Sequence, residues 1–318
     1  MSFRLTLVLV LLFVTSSHNV HAGEIFQSDN PERLWNEGEF TEGVAVRSDG
    51  VVFFSDIPGG SSKGRILEFN PVTERTTVFS SDSRKSNGLY FDSGDTLYAC
   101  CGADGGARAL CVVHDDGSVH PIVEQCDGVR LNSPNDLVVH PNGSIYFSDP
   151  RYRGSEPMEA AGMFVYRYVP ATGRTTIAVR NIEKPNGVHV TRDGRTLFVA
   201  ETNNGSTGLP GTDPGPVGRM TLNAFDLGSD GMPRNKRVLV DFGKETGVDG
   251  MAVDAEGRIF AAVRSPSRFG IGVYTSDGTE LDFVATEALP TNCCFGVGND
   301  RKTLYVTAGT GLYRLQLR

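Results

Sequence analysis

Asn135-Asp136-Leu137-Val138-Val139-His140-Pro141-Asn142-Gly143-Ser144-Ile145-Tyr146-Phe147-Ser148-Asp149 is a short apolar run, an Asn-Gly turn and a second run of β-branched and aromatic residues. That order of residues predicts a β-hairpin. The same plan recurs along the chain. Glu42-Gly43-Val44-Ala45-Val46 leads through Asp49-Gly50 to Val52-Phe53-Phe54, and Asn87-Gly88-Leu89-Tyr90-Phe91 through Ser93-Gly94 to Leu97-Tyr98-Ala99. Asn186-Gly187-Val188-His189-Val190 leads to Leu197-Phe198-Val199, Asp249-Gly250-Met251-Ala252-Val253 to Ile259-Phe260-Ala261, and Asn292-Cys293-Cys294-Phe295 to Leu304-Tyr305-Val306.

Further strand-like stretches separate these hairpins, among them Gly64 to Phe69 and Gly162 to Tyr168. Each unit therefore holds four strands, and the unit length matches a propeller blade. The expected fold is all-β, a six-bladed β-propeller with four-stranded blades. The longest unit carries a Gly-, Pro- and Asn-rich stretch from Thr202 to Val217, expected to be an insertion loop.

Residues 1–22 read differently. Arg4 is their only charge, Leu5 to Val14 is apolar apart from Thr6, and Val20-His21-Ala22 places small residues at −3 and −1 before Gly23. This is the pattern of a cleaved signal peptide, with an apolar run too short to span a bilayer. The expectation is an exported protein, secreted or periplasmic, with residues 23–318 as one catalytic propeller domain and no membrane association after cleavage. Net charge supports the choice of partners. With 30 Lys+Arg against 38 Asp+Glu the chain carries −8, the wrong sign for a nucleic-acid binder. In an exported chain the six cysteines, Cys100, Cys101, Cys111, Cys126, Cys293 and Cys294, stand equally as bridges or as buried thiols. Cys100 and Cys101 are expected on opposite faces of one strand. No Cys/His spacing supports zinc.

Each unit opens on a polar residue: Glu42, Asn87, Asn135, Asn186, Asp249 and Asn292. Turn and strand-start chemistry accounts for any one of them. In a propeller, however, equivalent positions of the innermost strands ring one mouth of the central channel. Two carboxylates with amide oxygens between them are hard donors suited to Ca²⁺ or Mg²⁺. Glu42, Asn135, Asn186 and Asp249 are the candidate ligands, with the two acids expected to face each other across the axis. Gly60-Ser61-Ser62-Lys63-Gly64 fits the G-x-S-x-G pattern, but no strand-to-helix setting surrounds it, so it reads as a loop.

Gly128 to Val138, containing Asn132-Ser133-Pro134-Asn135-Asp136, closely resembles the gluconolactonase/regucalcin family, as does Ser144 to Tyr152. Thr41-Glu42-Gly43, Lys184-Pro185-Asn186-Gly187 and Val248-Asp249-Gly250-Met251-Ala252-Val253-Asp254 are similar to further landmarks of that family. The resemblance runs from about Glu39 to Leu315. It implies a six-bladed propeller, a divalent cation (usually Ca²⁺) on the four ring residues, and a general-base or nucleophile role for Asp249. It further implies hydrolysis of a sugar-type lactone by water attacking a metal-polarised carbonyl. The alternatives are a phosphotriester hydrolase and a non-enzymatic calcium-binding propeller. Asn87 and Asn292 are candidates for binding sugar hydroxyls, and Arg130 or Arg151 for an anionic substituent. Cys101 and Cys294 depart from the family pattern.

Overall fold

The computed structural model describes residues 25–60 and 62–318. Among these residues the chain forms six four-stranded antiparallel sheets and one two-stranded hairpin, Gln125–Cys126 with Val129–Arg130. The innermost strands are Thr41–Val46, Ser86–Phe91, Leu137–Val139, Pro185–Val190, Val248–Val253 and Pro290–Phe295. The expected six-bladed propeller is what forms. Its only helical element among the described residues is a turn of 3₁₀ helix at Gly298–Asp300.

Five blades are built from consecutive strands, but the sixth is not. Its sheet takes Pro290–Phe295, Thr303–Ala308 and Gly311–Gln316 from the end of the chain, and its outer strand, Glu32–Trp35, from the beginning. Pairing Glu32 with Arg314 and Arg33 with Tyr313 closes the ring. Closure covers the edges that an open stack of sheets would leave unpaired.

Apolar side chains fill the seams between blades. Alternation along each strand sends neighbouring residues to opposite faces, so each sheet contributes to two seams. Phe53 and Ile66 of the first blade pack with Leu97 and Ala99 of the second. Phe198 and Leu222 of the fourth pack with Ile259 and Ala261 of the fifth. Phe26 adds its ring to the seam between the fifth and sixth blades, edge-on to Phe260 at 6.0 Å. Cys100 lies in the seam between the second and third blades and Cys101 in the seam between the first and second, on opposite faces as expected. Among the described residues all six cysteines are free thiols, five of them buried.

The loop from Ile57 to Gly64 runs directly into the strand Arg65–Asn70 with no helix following, and residue 61 lies outside the described residues. This agrees with a loop rather than a nucleophile elbow. Residues 203–219 form the expected insertion, held by Asn203 N–Arg219 O and Gly215 N–Gly205 O hydrogen bonds. The expected signal peptide at 1–22 lies outside the described residues.

Candidate functional site

A repeated irregularity positions the ring. In five of the six blades the pairing register shifts near the ring residue: between Glu42 and Val44, Ser86 and Leu89, Pro185 and Val188, Val248 and Met251, and Pro290 and Asn292. A bulge of this kind frees one residue from the ladder and re-aims its side chain. Of the six ring residues, Asn87, Asn186 and Asp249 are freed in this way, whereas Glu42 stays paired with Ser55, Asn292 with Thr307, and Asn135 precedes its strand. The glycine that follows most of them lets adjacent innermost strands approach closely. A Cβ on Gly43 would stand 2.0 Å from the Asn87 carbonyl oxygen, and one on Gly187 would stand 2.3 Å from that of Asp249.

These backbones surround a cavity of about 330 Å³ at one mouth of the channel. Glu42, Asn87, Asn135, Asn186 and Asp249 all line it, joined by Lys85, Tyr152, Arg153, Asn204 and Arg264. The four expected cation ligands are thus brought together, each at most 9% exposed. The two acids do not face each other across the axis. They sit on the first and fifth blades, with only the sixth between them, and Asp249 is close enough to perturb Glu42. Burial holds the Glu42 carboxyl well above the usual carboxylate range, and the charge of Asp249 adds to this. Burial also raises Asp249, against the opposing influence of Arg264.

Arg264 was not foreseen. It stands on the strand Ile259–Ser265, beside the innermost strand of its blade, and its Nη1 donates to Asp249 Oδ2 at 2.5 Å. Nothing in the local sequence marks it, because the ion pair joins two neighbouring strands of one sheet rather than a motif. Glu42 has only the adjoining Gly43 N–H, at 3.2 Å, as a hydrogen-bond donor among the described residues. Asn186 gives its amide N–H to the Tyr152 hydroxyl at 3.3 Å.

This donor set fits a divalent cation. Arg264 balances only one of the two buried carboxylates, so ionising both is costly without a further counter-charge, and the amide oxygens of Asn135 and Asn186 complete a hard-oxygen set. Among the described residues no group of three or more His, Cys, Asp or Glu side chains could hold a metal. Any site here therefore depends on the amides.

Three other expected residues fall elsewhere. Asn292 lines a second cavity of about 240 Å³, further along the channel, with Asp136 and His189. Its amide donates to Asp136 Oδ1 at 3.4 Å and packs where Gly250 leaves no side chain. Arg130 is spent on Glu124 and the Ala107 carbonyl, at 2.8 Å each, and lines none of the cavities described. Arg151 is fully buried and tied to Glu156 and the 153–157 loop. Asp136 joins Asn292 at the second cavity, although the repeat does not mark it as a site residue. It occupies the place that glycine takes in most other blades, accepts Val188 N–H at 2.9 Å, and burial pushes its carboxyl up to about 7.

The comparisons with known proteins agree with this architecture. Residues 40–310 match the family model described as the SMP-30/gluconolactonase/LRE-like region. Gluconolactonase of Zymomonas mobilis is 26% identical over 307 residues, which cover 89% of this chain and 79% of that protein. A solved gluconolactonase from Xanthomonas campestris superposes with a TM-score of 0.78 at 26% identity, covering 93% of this chain and 92% of the other. The calcium-binding protein regucalcin of Agrobacterium tumefaciens shares the fold at 18% identity, with a TM-score of 0.66 over 92% and 94% of the two chains. Because the family model spans most of the chain, from just before the first ring residue to the strand Thr303–Ala308 of the sixth blade, the protein belongs to the SMP-30/gluconolactonase/LRE-like family.

Proposed function

We propose that the protein is a lactonase that opens a sugar-type lactone with the help of one divalent cation, Ca²⁺ by preference, held by Glu42, Asn135, Asn186 and Asp249. The observation that carries this reading is the convergence of two buried carboxylates and two amides on one cavity wall. The named gluconolactonases among its relatives support it.

When bound, the cation supplies Lewis-acid polarisation of the lactone carbonyl. The chain's own residues do the rest. Arg264 holds Asp249 Oδ2, which leaves Oδ1 to take the proton from the attacking water. That proton then passes to the ring oxygen as the acyl C–O bond breaks, giving the hydroxy acid. Asn87, which lines the cavity from the second blade, is assigned to hydrogen-bond sugar hydroxyls. The four candidate ligands are each at most 9% exposed, and in such poorly solvated walls polar contacts are stronger than in water.

The test is a panel of aldono-lactones and paraoxon, assayed with and without chelator. Lactone hydrolysis that chelator abolishes and Ca²⁺ restores is the expected result. Hydrolysis of the phosphotriester alone would select the phosphotriesterase alternative, and no turnover of any substrate would select the binding propeller.

A further inference from the structure

Lys85 lies two residues before the ring position of the second blade, opposite the fifth blade that carries Asp249. Its side chain lines the same cavity and is 3% exposed. Its ammonium donates to the carbonyls of Pro58 at 2.7 Å and Gly60 at 3.0 Å. An ammonium has three N–H donors, and among the described residues the third has no protein acceptor. Nor, among the described residues, does any carboxylate come within ion-pairing distance of it. A buried charge without a counter-ion is costly.

The equivalent residue of the fourth blade makes a useful contrast. Lys184 is also buried, but it is satisfied by Asn204 Oδ1, the Ser206 carbonyl and the face of the Tyr152 ring. Among the described residues, Lys85 alone of this pair is left with an open donor on the cavity.

The charges around the cavity point the same way. Its wall carries Lys85, Arg153 and Arg264 against Glu42, Asp104 and Asp249, three of each sign. A divalent cation on the ring would therefore leave the cavity at +2. A neutral lactone does nothing to balance that excess.

We propose that the lactone this cavity takes carries a second, negatively charged group, a carboxylate or a phosphate ester, which sits on Lys85 across the ring from the cation and Asp249. The inference rests on the lactonase reading. The anionic group belongs at the end of the molecule remote from the lactone carbonyl, because the second and fifth blades lie on opposite sides of the axis. Lys85 then sets specificity, and Arg153 at the rim adds to the attraction.

The experiment compares lactones that differ only at that far end, using Ca²⁺-loaded full-length protein. D-glucono-1,4-lactone is paired with D-glucaro-1,4-lactone for the carboxylate, and D-glucono-1,5-lactone with its 6-phosphate for the phosphate. The anionic member of at least one pair is expected to show kcat/KM about tenfold or more above its neutral partner. Lys85→Met should collapse that ratio towards unity, and Lys85→Arg should keep most of it. Loss of a merely structural contact to the 58–60 loop would lower both members together and leave the ratio unchanged. Neutral lactones turned over as well as the anionic ones, or a ratio indifferent to Lys85→Met, would overturn the anion subsite while leaving the lactonase reading intact. If no lactone is hydrolysed, that reading fails, and the subsite is decided by calorimetry. D-glucarate binding that is absent for D-glucitol and lost in Lys85→Met would support it; equal or no binding would overturn it.

Discussion

The Tyr152 hydroxyl fixes which way the Asn186 amide points. It spends its own proton on the Thr202 carbonyl at 2.9 Å, so towards Asn186 its oxygen can only accept, and Asn186 must offer its N–H₂ at 3.3 Å. The amide oxygen is thereby left for a cation. Partners that orient a ligand typically contribute about 10- to 100-fold to metal affinity. Tyr152→Phe removes the acceptor while keeping the ring beneath Lys184. Calorimetry should show Ca²⁺ affinity falling by about tenfold, with the far-ultraviolet circular dichroism spectrum unchanged.

The ring's geometry depends on glycine at the bulges. Gly43 has φ +31°, and a Cβ there would meet Asn87 O at 2.0 Å and Gly88 Cα at 2.6 Å. Gly43→Ala should cost about 3 kcal/mol or more, since both backbone strain and overlap must be relieved. Gly50 also has positive φ, but nothing lies within 4 Å of its Cβ position. Gly50→Ala should cost only about 1 kcal/mol. Chemical denaturation midpoints at constant slope separate the two.

How much of this was legible in the sequence follows from what is local. The hairpins, the polar residue opening each blade and the insertion after Thr202 are all written in consecutive residues, so the fold and the four candidate ligands could be read directly. The outer strand Glu32–Trp35 could not, because it has little alternation of its own and is defined by pairing with Arg314 and Tyr313, some 280 residues away. Arg264 and Asn292 show the same limit at the site. The repeat predicts that Asn292 occupies a ring position, but only packing against Gly250 and the bond to Asp136 turn its amide into the second cavity. Arg264 reaches Asp249 across a strand pair, where no motif records it. The separation of Glu42 from Asp249 by a single blade was available by counting units, although the two acids had been expected to oppose each other.

His189 supplies a pH dependence that is independent of the ring. Burial depresses its imidazole to about 4, below the unfolded value near 6.5. Its stabilising contribution is therefore complete above about pH 6.5 and is lost as pH falls towards about 4, because the unfolded chain takes up the proton first. His189→Gln should flatten the fall in stability across that window by about 1 kcal/mol or more. Urea denaturation at pH 7, 5.5 and 4.5 would show this, and parallel curves for the two proteins would count against it.

Asp249 is assigned both a charge for the cation and a proton acceptor, and the two roles can be separated. With Ca²⁺ raised until occupancy is confirmed, Asp249→Asn should still lose lactone hydrolysis by about 100-fold or more if Oδ1 takes the proton. Recovery of wild-type turnover at full occupancy would reduce Asp249 to a ligand.

The measurement closest to the centre of the account is a calorimetric Ca²⁺ titration of chelator-treated protein, run on wild type and on Glu42→Gln. Of the two ring carboxylates, Glu42 has the weaker donor set among the described residues, the Gly43 N–H alone against the Arg264 guanidinium on Asp249, and affinity for Ca²⁺ follows ligand charge. The account predicts one site in the wild-type protein and a loss of about tenfold or more in affinity in Glu42→Gln. No binding by the wild type, or equal binding by the two proteins, would contradict the placement of a cation on this ring.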